Sequence, residues 1–207
     1  QAALTGMGQL GDASTVTPLV AAMSNKADRP TIRQSIARLK GNGVDKALIT
    51  ALGSAQPPIR VEIAAVLNTR DARTAADTML KLASDDEDPA VRKEAIKALG
   101  ALADSKMCPK IVELMGKAKK SSELRGIVNA IIIIARNSPQ AQAAEITTML
   151  GEKFQSAKDA RTKSAILIVA GGIGNSGSLK ILRTAVKTSD LAVRTAAIRA
   201  MAAWTTA

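Results

Sequence analysis

The chain reads as an all-α fold assembled from repeated helix pairs, and three observations predict it. Of its 207 residues 46% are apolar, yet aromatics make up only 1%, with one Phe, one Trp and no Tyr. A core of Ala, Ile, Leu, Val and Met suits closely packed helices better than a sandwich or barrel. Apolar residues also fall at helical spacing: Val91, Ala95, Ala98, Leu99 and Leu102 share one face. Finally, this stretch recurs with changed letters roughly every 27 to 38 residues, the signature of a repeat array. About six helix pairs follow a leading half-repeat.

The second helix of each pair is the easier to place. Asp88 can cap a helix through its carboxylate, and Pro89 suits the first helical position. Anchored on Val91-Arg92, the same start appears at Ile32-Arg33, Ile59-Arg60, Leu124-Arg125 and Val193-Arg194. A further copy begins after Asp159, where Arg161 or Lys163 takes the Arg slot and the downstream match favours Lys163. First helices are expected over residues 16–23, 44–52, 75–82, 107–115, 143–154 and 179–186, each shorter than its second helix. Joints fall at Gly41-Asn42-Gly43, Pro57-Pro58, Asp71, Asp104, Pro139 and Asn175-Ser176-Gly177. The greasy run at residues 130–135 is far short of the ~20 residues a membrane span needs, so it reads as a helix buried on most sides.

The chain opens inside a second helix. Residues 3–12 match residues 95–104, with Leu4 on Ile96, Met7 on Leu99, Gly8 on Gly100 and Leu10 on Leu102. It closes at Trp204, which falls on Leu102. Residues 1–207 are therefore expected to form a single repeat domain that is a segment of a longer protein.

A helix start of the form Asp-Pro-x-Val-Arg-x-x-Ala-x-x-Ala-Leu-Gly, near-complete at Asp88 to Gly100, resembles the HEAT repeat, in particular the bacterial HEAT-like repeats also found in phycobilin lyases. Asp190, Val193, Arg194, Ala197 and Ala200 keep the pattern without the Pro, the stretch after Asp28 keeps Ile32 and Arg33, and the stretches at Gln56 and Ser121 keep less. The resemblance implies a right-handed α-α superhelix whose second helices line a concave surface, with protein binding as the typical role. It also implies that Arg33, Arg60, Arg92, Arg125 and Arg194 form a structural ladder held by carboxylates, Asp88 among them. A cation in the first turn of a helix otherwise opposes the macrodipole by about 0.3–1 kcal/mol.

Several chemistries find no support. No His is present and Cys108 is the only Cys, so an intrachain disulfide is impossible and a zinc site with nitrogen or sulfur ligands is not expected. Ser, Thr and Cys nucleophiles would have no His to activate them, so no enzyme activity and no cofactor are expected. Gly6 to Gly11 and Gly172 to Gly177 both fit G-x-G-x-x-G but lie where one helix ends and the next begins, so they read as joints. The run Asp85-Asp86-Glu87-Asp88 lacks the Gly and distal Glu of a calcium loop and reads as a solvated linker ending in a cap.

Net charge is +11, with an excess of 11 basic over 6 acidic residues at 104–163 and 5 over 1 at 164–207. Nucleic acid is thus an alternative partner. A phosphate-tracking stripe should be basic in successive repeats, but the column of Lys97 reads Arg38, Ala65, Lys97, Ala130, Ile168, Arg199. The cluster Lys106, Lys110, Lys117, Lys119 and Lys120 reads as a solvated face. The expected function is a non-catalytic scaffold that binds a protein or peptide through Gln34, Arg38, Lys93, Lys97, Thr195 and Arg199, all expected to be exposed. Nonspecific nucleic-acid binding and an accessory, phycobilin-lyase-like role are the alternatives. No membrane insertion is expected, and the compartment stays open.

Overall fold

Helix starts follow the caps that the repeat register points to. The computed structural model describes residues 2–41 and 43–204, and the chain divides into two compact units, Gln1–Leu102 and Ala103–Ala207. Among the described residues all regular structure is helical.

The first unit comprises α1 (Ala2–Leu10), α2 (Val16–Ala22), α3 (Arg29–Arg38), α4 (Val44–Leu52), α5 (Pro57–Thr69), α6 (Ala76–Asp85) and α7 (Pro89–Leu102). Short 3₁₀ turns at Ala13–Thr15 and Arg73–Ala75 lead into α2 and α6. The second helices α1, α3, α5 and α7 pack side by side in that order, while α2, α4 and α6 each pair with the helix that follows. The leading half-repeat thus behaves as a second helix. Asp88 Oδ1 accepts from the amides of Ala90 at 2.7 Å and Val91 at 3.2 Å, satisfying orphan donors of α7. Between the two layers Leu19, Ile36, Leu48, Ile63, Leu67 and Met79 are fully buried. Gly8 permits the closest approach: a Cβ there would stand 2.5 Å from Ser35 Cα, so α1 sits on α3 with no room for a side chain. The joint at residues 41–43 uses positive φ at Gly41 and Gly43, and Asn42 lies outside the described residues.

The second unit comprises α8 (Cys108–Lys117), α9 (Ser121–Asn137), α10 (Gln140–Ser156), α11 (Ala160–Ile173), α12 (Ser176–Val186) and α13 (Leu191–Ala202), with a 3₁₀ turn at Ser105–Met107 before α8. Here α9, α11 and α13 form the second-helix layer. Two elements differ from expectation. Helix α10 starts at Gln140, because the Pro139 carbonyl already accepts from Ala143 N at 3.0 Å, and it is longer than α11. Helix α12 starts at Ser176, because Asn175 Oδ1 accepts from Ser178 N at 2.8 Å. The isoleucine run also differs: Ile131 and Ile134 are buried, but Ile133 is 45% exposed. A helix facing its neighbours on one side only cannot bury four consecutive residues, which span more than a full turn.

Asp159 accepts from Thr162 N and Asp190 from Val193 N, each three residues on, as Asp88 does from Val91. Thr162, Val193 and Val91 are all buried. This alignment of caps puts Lys163 in the Arg slot, as the downstream sequence match favours. Gly174 ends α11 in the left-handed region at φ 75°, so that glycine motif is a helix joint.

Candidate interaction surface

Each second-helix layer turns one face to its first helices and the other to solvent. In the first unit Gln34 and Arg38 on α3 and Lys93 and Lys97 on α7 are exposed. Helix α5 lies between α3 and α7 and brings half-buried Val61 and Ala65 to the equivalent positions, so the two polar pairs do not merge. Lys97 is 68% exposed and its Nζ reaches Glu94 Oε1 at 3.3 Å, an exposed pair that contributes little to stability. In the second unit Arg199 on α13 is exposed, whereas Thr195 is half-buried. Helix α13 packs against both α11 and α12, and a short side chain early in that helix does not clear the packing.

The recurring arginines have varied partners. Arg60 donates from Nη2 to Asp86 Oδ1 at 3.0 Å, and its Nε lies 2.9 Å from Oδ2 without hydrogen-bonding it, an ion pair that reaches the next repeat. Arg33 Nε lies 3.2 Å from Glu62 Oε2. Buried Arg92 donates from Nη1 to the carbonyls of Asp86 at 2.8 Å and Glu87 at 2.9 Å, while Asp88 caps α7. For Arg125 and Arg194 no ion pair is found among the described residues. Arg125 is exposed and Arg194 half-buried.

A pattern not visible in the sequence links these arginines to helix C-termini. Arg29 Nε donates to Met23 O at 2.9 Å, Arg60 Nη1 to Ala55 O at 2.8 Å, and Arg92 to Asp86 O. Each carbonyl lies at or just beyond the end of a first helix. The guanidinium leaves the positive start of one helix for the negative end of the preceding one, which removes the macrodipole objection. In the first pair Arg29 does this, not Arg33. The acidic run is likewise part of the framework: Asp86 is only 6% exposed because it holds Arg60 and accepts from Asp88 N at 2.9 Å.

Cys108 is fully buried, and burial, helped by the charge of Asp104, pushes its thiol up to about 12. Among the described residues no group of three or more Asp, Glu or Cys side chains is arranged to hold a metal ion. A cleft of about 750 Å³ in the first unit lies along α4 and α6, over Ile49, Leu52 and Leu82, with Asp77, Asp85 and Glu87 at its rim. No helix among the described residues is long and apolar enough to cross a membrane.

The sequence reading missed the apolar part of the solvent face. Ile133 on α9, Ile168 on α11 at 52% exposure, and Ile198 and Met201 on α13 are open to solvent. The available signal was Ile168 itself, which interrupts the column of Lys97.

Residues 46–145 match the family model described as HEAT repeats. No curated protein matches the sequence. Among solved structures, the chain is similar to a crescerin structure described as using a TOG domain array to regulate microtubules in the primary cilium. That likeness has 16% identity and a TM-score of 0.51, covering 91% of this chain and 90% of that one. An engineered protein is 18% identical with a TM-score of 0.47, and the likeness covers 97% of this chain and 62% of the engineered one. The complex of CpcE and CpcF of phycocyanin lyase from Nostoc sp. is 17% identical with a TM-score of 0.43, over 92% of this chain and 99% of that one.

Proposed function

We propose that this chain, a HEAT-repeat protein of the α-α superhelix class, is a non-catalytic scaffold that binds a protein or peptide through the solvent face of its second helices. The observation that carries the reading is the layered packing: α3, α5 and α7, and separately α9, α11 and α13, each leave one face open. Long side chains stand on those faces, with Arg38, Lys93 and Lys97 in one unit and Arg199 in the other. A repeated surface of this kind varies its exposed letters without disturbing the buried ones, which is how solenoids acquire partners.

The test uses the whole chain as bait, with cross-linking and mass spectrometry of what it retains. Cross-links to the natural partner should fall on the second helices, and the triple variant Arg38→Glu, Lys97→Glu, Arg199→Glu should weaken capture while melting unchanged. Cross-links confined to α2, α4, α8 and α10, or a triple variant that binds as well as wild type, would reject the reading. Nucleic acid is the competing partner. Exposed Ile168 and buried Ala130 in the column of Lys97 argue against a continuous phosphate track, and a salt titration with duplex and single-stranded DNA separates the two.

A further inference from the structure

Helix α4 packs against the 3₁₀ turn Arg73–Ala75 that leads into α6 more than against α6 itself. Beyond that turn the two helices stand apart, and the space between them is the cleft of about 750 Å³ on the first-helix layer. Buried Leu52 and half-buried Ile49 from α4, with half-buried Leu82 from α6, give it an apolar floor. The neighbouring cleft between α2 and α4 is of similar size, about 680 Å³, and is lined by Val20, Ala47 and Thr50 with Lys46 and no acid. Charge, not size, sets the α4–α6 cleft apart.

The chain as a whole carries +11, yet the rim of this cleft is acidic. Asp77, Asp85 and Glu87 line it and are exposed. None of these three carboxylates has an ion pair or a hydrogen bond among the described residues. The fourth acid, Asp86, is engaged by Arg60, so that pair adds no net charge. The remaining cation of the cleft is exposed Lys81, midway between Asp77 and Asp85 on α6, which leaves three acids against one base. Asp77 and Asp85 lie eight residues apart in α6, about 12 Å along its axis. The cleft therefore offers an acidic point toward each end of α6, an apolar floor, and a positive charge in between.

We propose that the α4–α6 cleft binds an extended peptide segment of a partner protein in which two basic residues flank an aliphatic one at alternate positions. In an extended chain the first, third and fifth residues point to one side, and the first and fifth are about 13 Å apart. That span matches the separation of the acids. One basic side chain meets Asp77, the other meets Asp85 and Glu87, and the aliphatic side chain between them sits over Leu52 and Leu82. Lys81 excludes a cation from the middle position, because like charges brought together weaken binding. The acids exclude a phosphate backbone for the same reason. The site lies on the first-helix layer, so it goes beyond the scaffold reading and does not depend on the second-helix faces.

The experiment measures fluorescence anisotropy of a labelled synthetic peptide against the full chain, the probe carrying Lys-Ser-Leu-Ser-Lys between Gly-Ser flanks. Binding should saturate below about 1 mM. Asp77→Asn with Asp85→Asn should weaken it severalfold, and Asp77→Lys with Asp85→Lys by about tenfold or more, with melting unchanged. Lys81→Ala should tighten it. A photoreactive leucine at the central position should cross-link within residues 49–53 or 77–87. Should the reversed variant fold poorly, a Glu-for-Lys probe against the wild-type chain tests the same contacts and should not bind. Absence of saturation, undiminished binding to a well-folded Asn variant, cross-links elsewhere, or equal binding of a probe with Ser or Lys in place of its Leu would overturn the inference. So would displacement by a linear aliphatic diamine of the same span as readily as by unlabelled peptide, which would make the occupant a small cation. None of these results moves the natural partner's cross-links to second helices, so the scaffold reading stands or falls separately.

Discussion

Arg70 Nε lies 2.6 Å from Asp45 Oδ1, and the same guanidinium donates from Nη1 to three carbonyls at the end of α3. Those acceptors are Ile36 at 3.1 Å, Ala37 at 3.3 Å and Leu39 at 2.8 Å. One side chain on the C-terminus of α5 therefore closes the C-terminus of α3 and holds the start of α4. It is only 12% exposed, so its hydrogen bonds are not readily replaced by water.

Arg70→Ala is expected to lower the stability of the first unit by about 2–4 kcal/mol, since the lost bonds are charge-assisted and leave helix-end carbonyls unpaired. Arg70→Lys should recover less than half of this, because an ammonium cannot span Asp45 and Leu39 O together. Urea unfolding followed by helical circular dichroism measures both. A loss under about 0.5 kcal/mol for the Ala variant would show that the cap contributes nothing substantial.

Gly8→Ala and Gly116→Ala should move stability in opposite directions. At Gly8 the new methyl meets the backbone of Ser35 at 2.5 Å, and helix backbones do not yield as a flexible side chain does. The expected cost is about 1–3 kcal/mol. At Gly116, inside α8, nothing lies within 4 Å, so Ala should stabilise by up to about 1 kcal/mol through the unfolded chain's lost freedom. Thermal melts of the pair decide it, and equal shifts would refute the close approach of α1 and α3.

The raised thiol of Cys108 makes stability depend on alkaline pH. Its value rises from 9.0 to about 12 on folding, through burial first and Asp104 second. Between those values the unfolded chain has released a proton that the folded chain keeps. The contribution is thus complete below pH 9 and is lost as pH rises toward 12, at about 1.4 kcal/mol per pH unit. Urea unfolding of wild type and Cys108→Ala at about pH 8 and about pH 10 isolates the thiol from the lysines. The wild type should lose more stability than the variant over that interval. Its thiol should also resist a disulfide reagent near neutral pH until the chain unfolds.

Asp159 acts in the opposite pH range. The Thr162 backbone amide, at 2.7 Å, holds its carboxyl below the usual value, with the Thr162 side chain and the Arg161 charge assisting. The cap is present above the unfolded carboxylate pKa and fades as pH falls through the folded one. Asp159→Ala should cost about 1 kcal/mol near neutrality and Asp159→Asn much less. The Ala penalty should shrink in acid; an Ala penalty as large there as at neutrality would rule out a charged cap.

Helix positions were legible in the sequence because they depend on near neighbours. Apolar spacing, Asp88 and Pro89 lie within a turn or two of the helix they start, and the downstream match to Gly171 and Asn175 was enough to prefer Lys163 over Arg161. The glycine motifs were readable as joints for the same reason. The isoleucine run was harder. Its composition signals burial, but which of Ile131, Ile132, Ile133 and Ile134 faces solvent depends on where α11 lies.

The sequence by itself determined the repeat, its register, the all-α class and the exposure of Arg38, Lys93, Lys97 and Arg199, since each follows from periodicity along one helix. Only the tertiary structure decided what each arginine holds. Arg60 reaches Asp86, Arg70 reaches Asp45 and Leu39, and Arg136 reaches Gly172, each pair 25 to 36 residues apart. At such separations several acids and carbonyls are equally available to a one-dimensional reading. The packing of successive repeats selects one of them, and the same packing leaves Ile133 on α9 and Ile168 on α11 open to solvent.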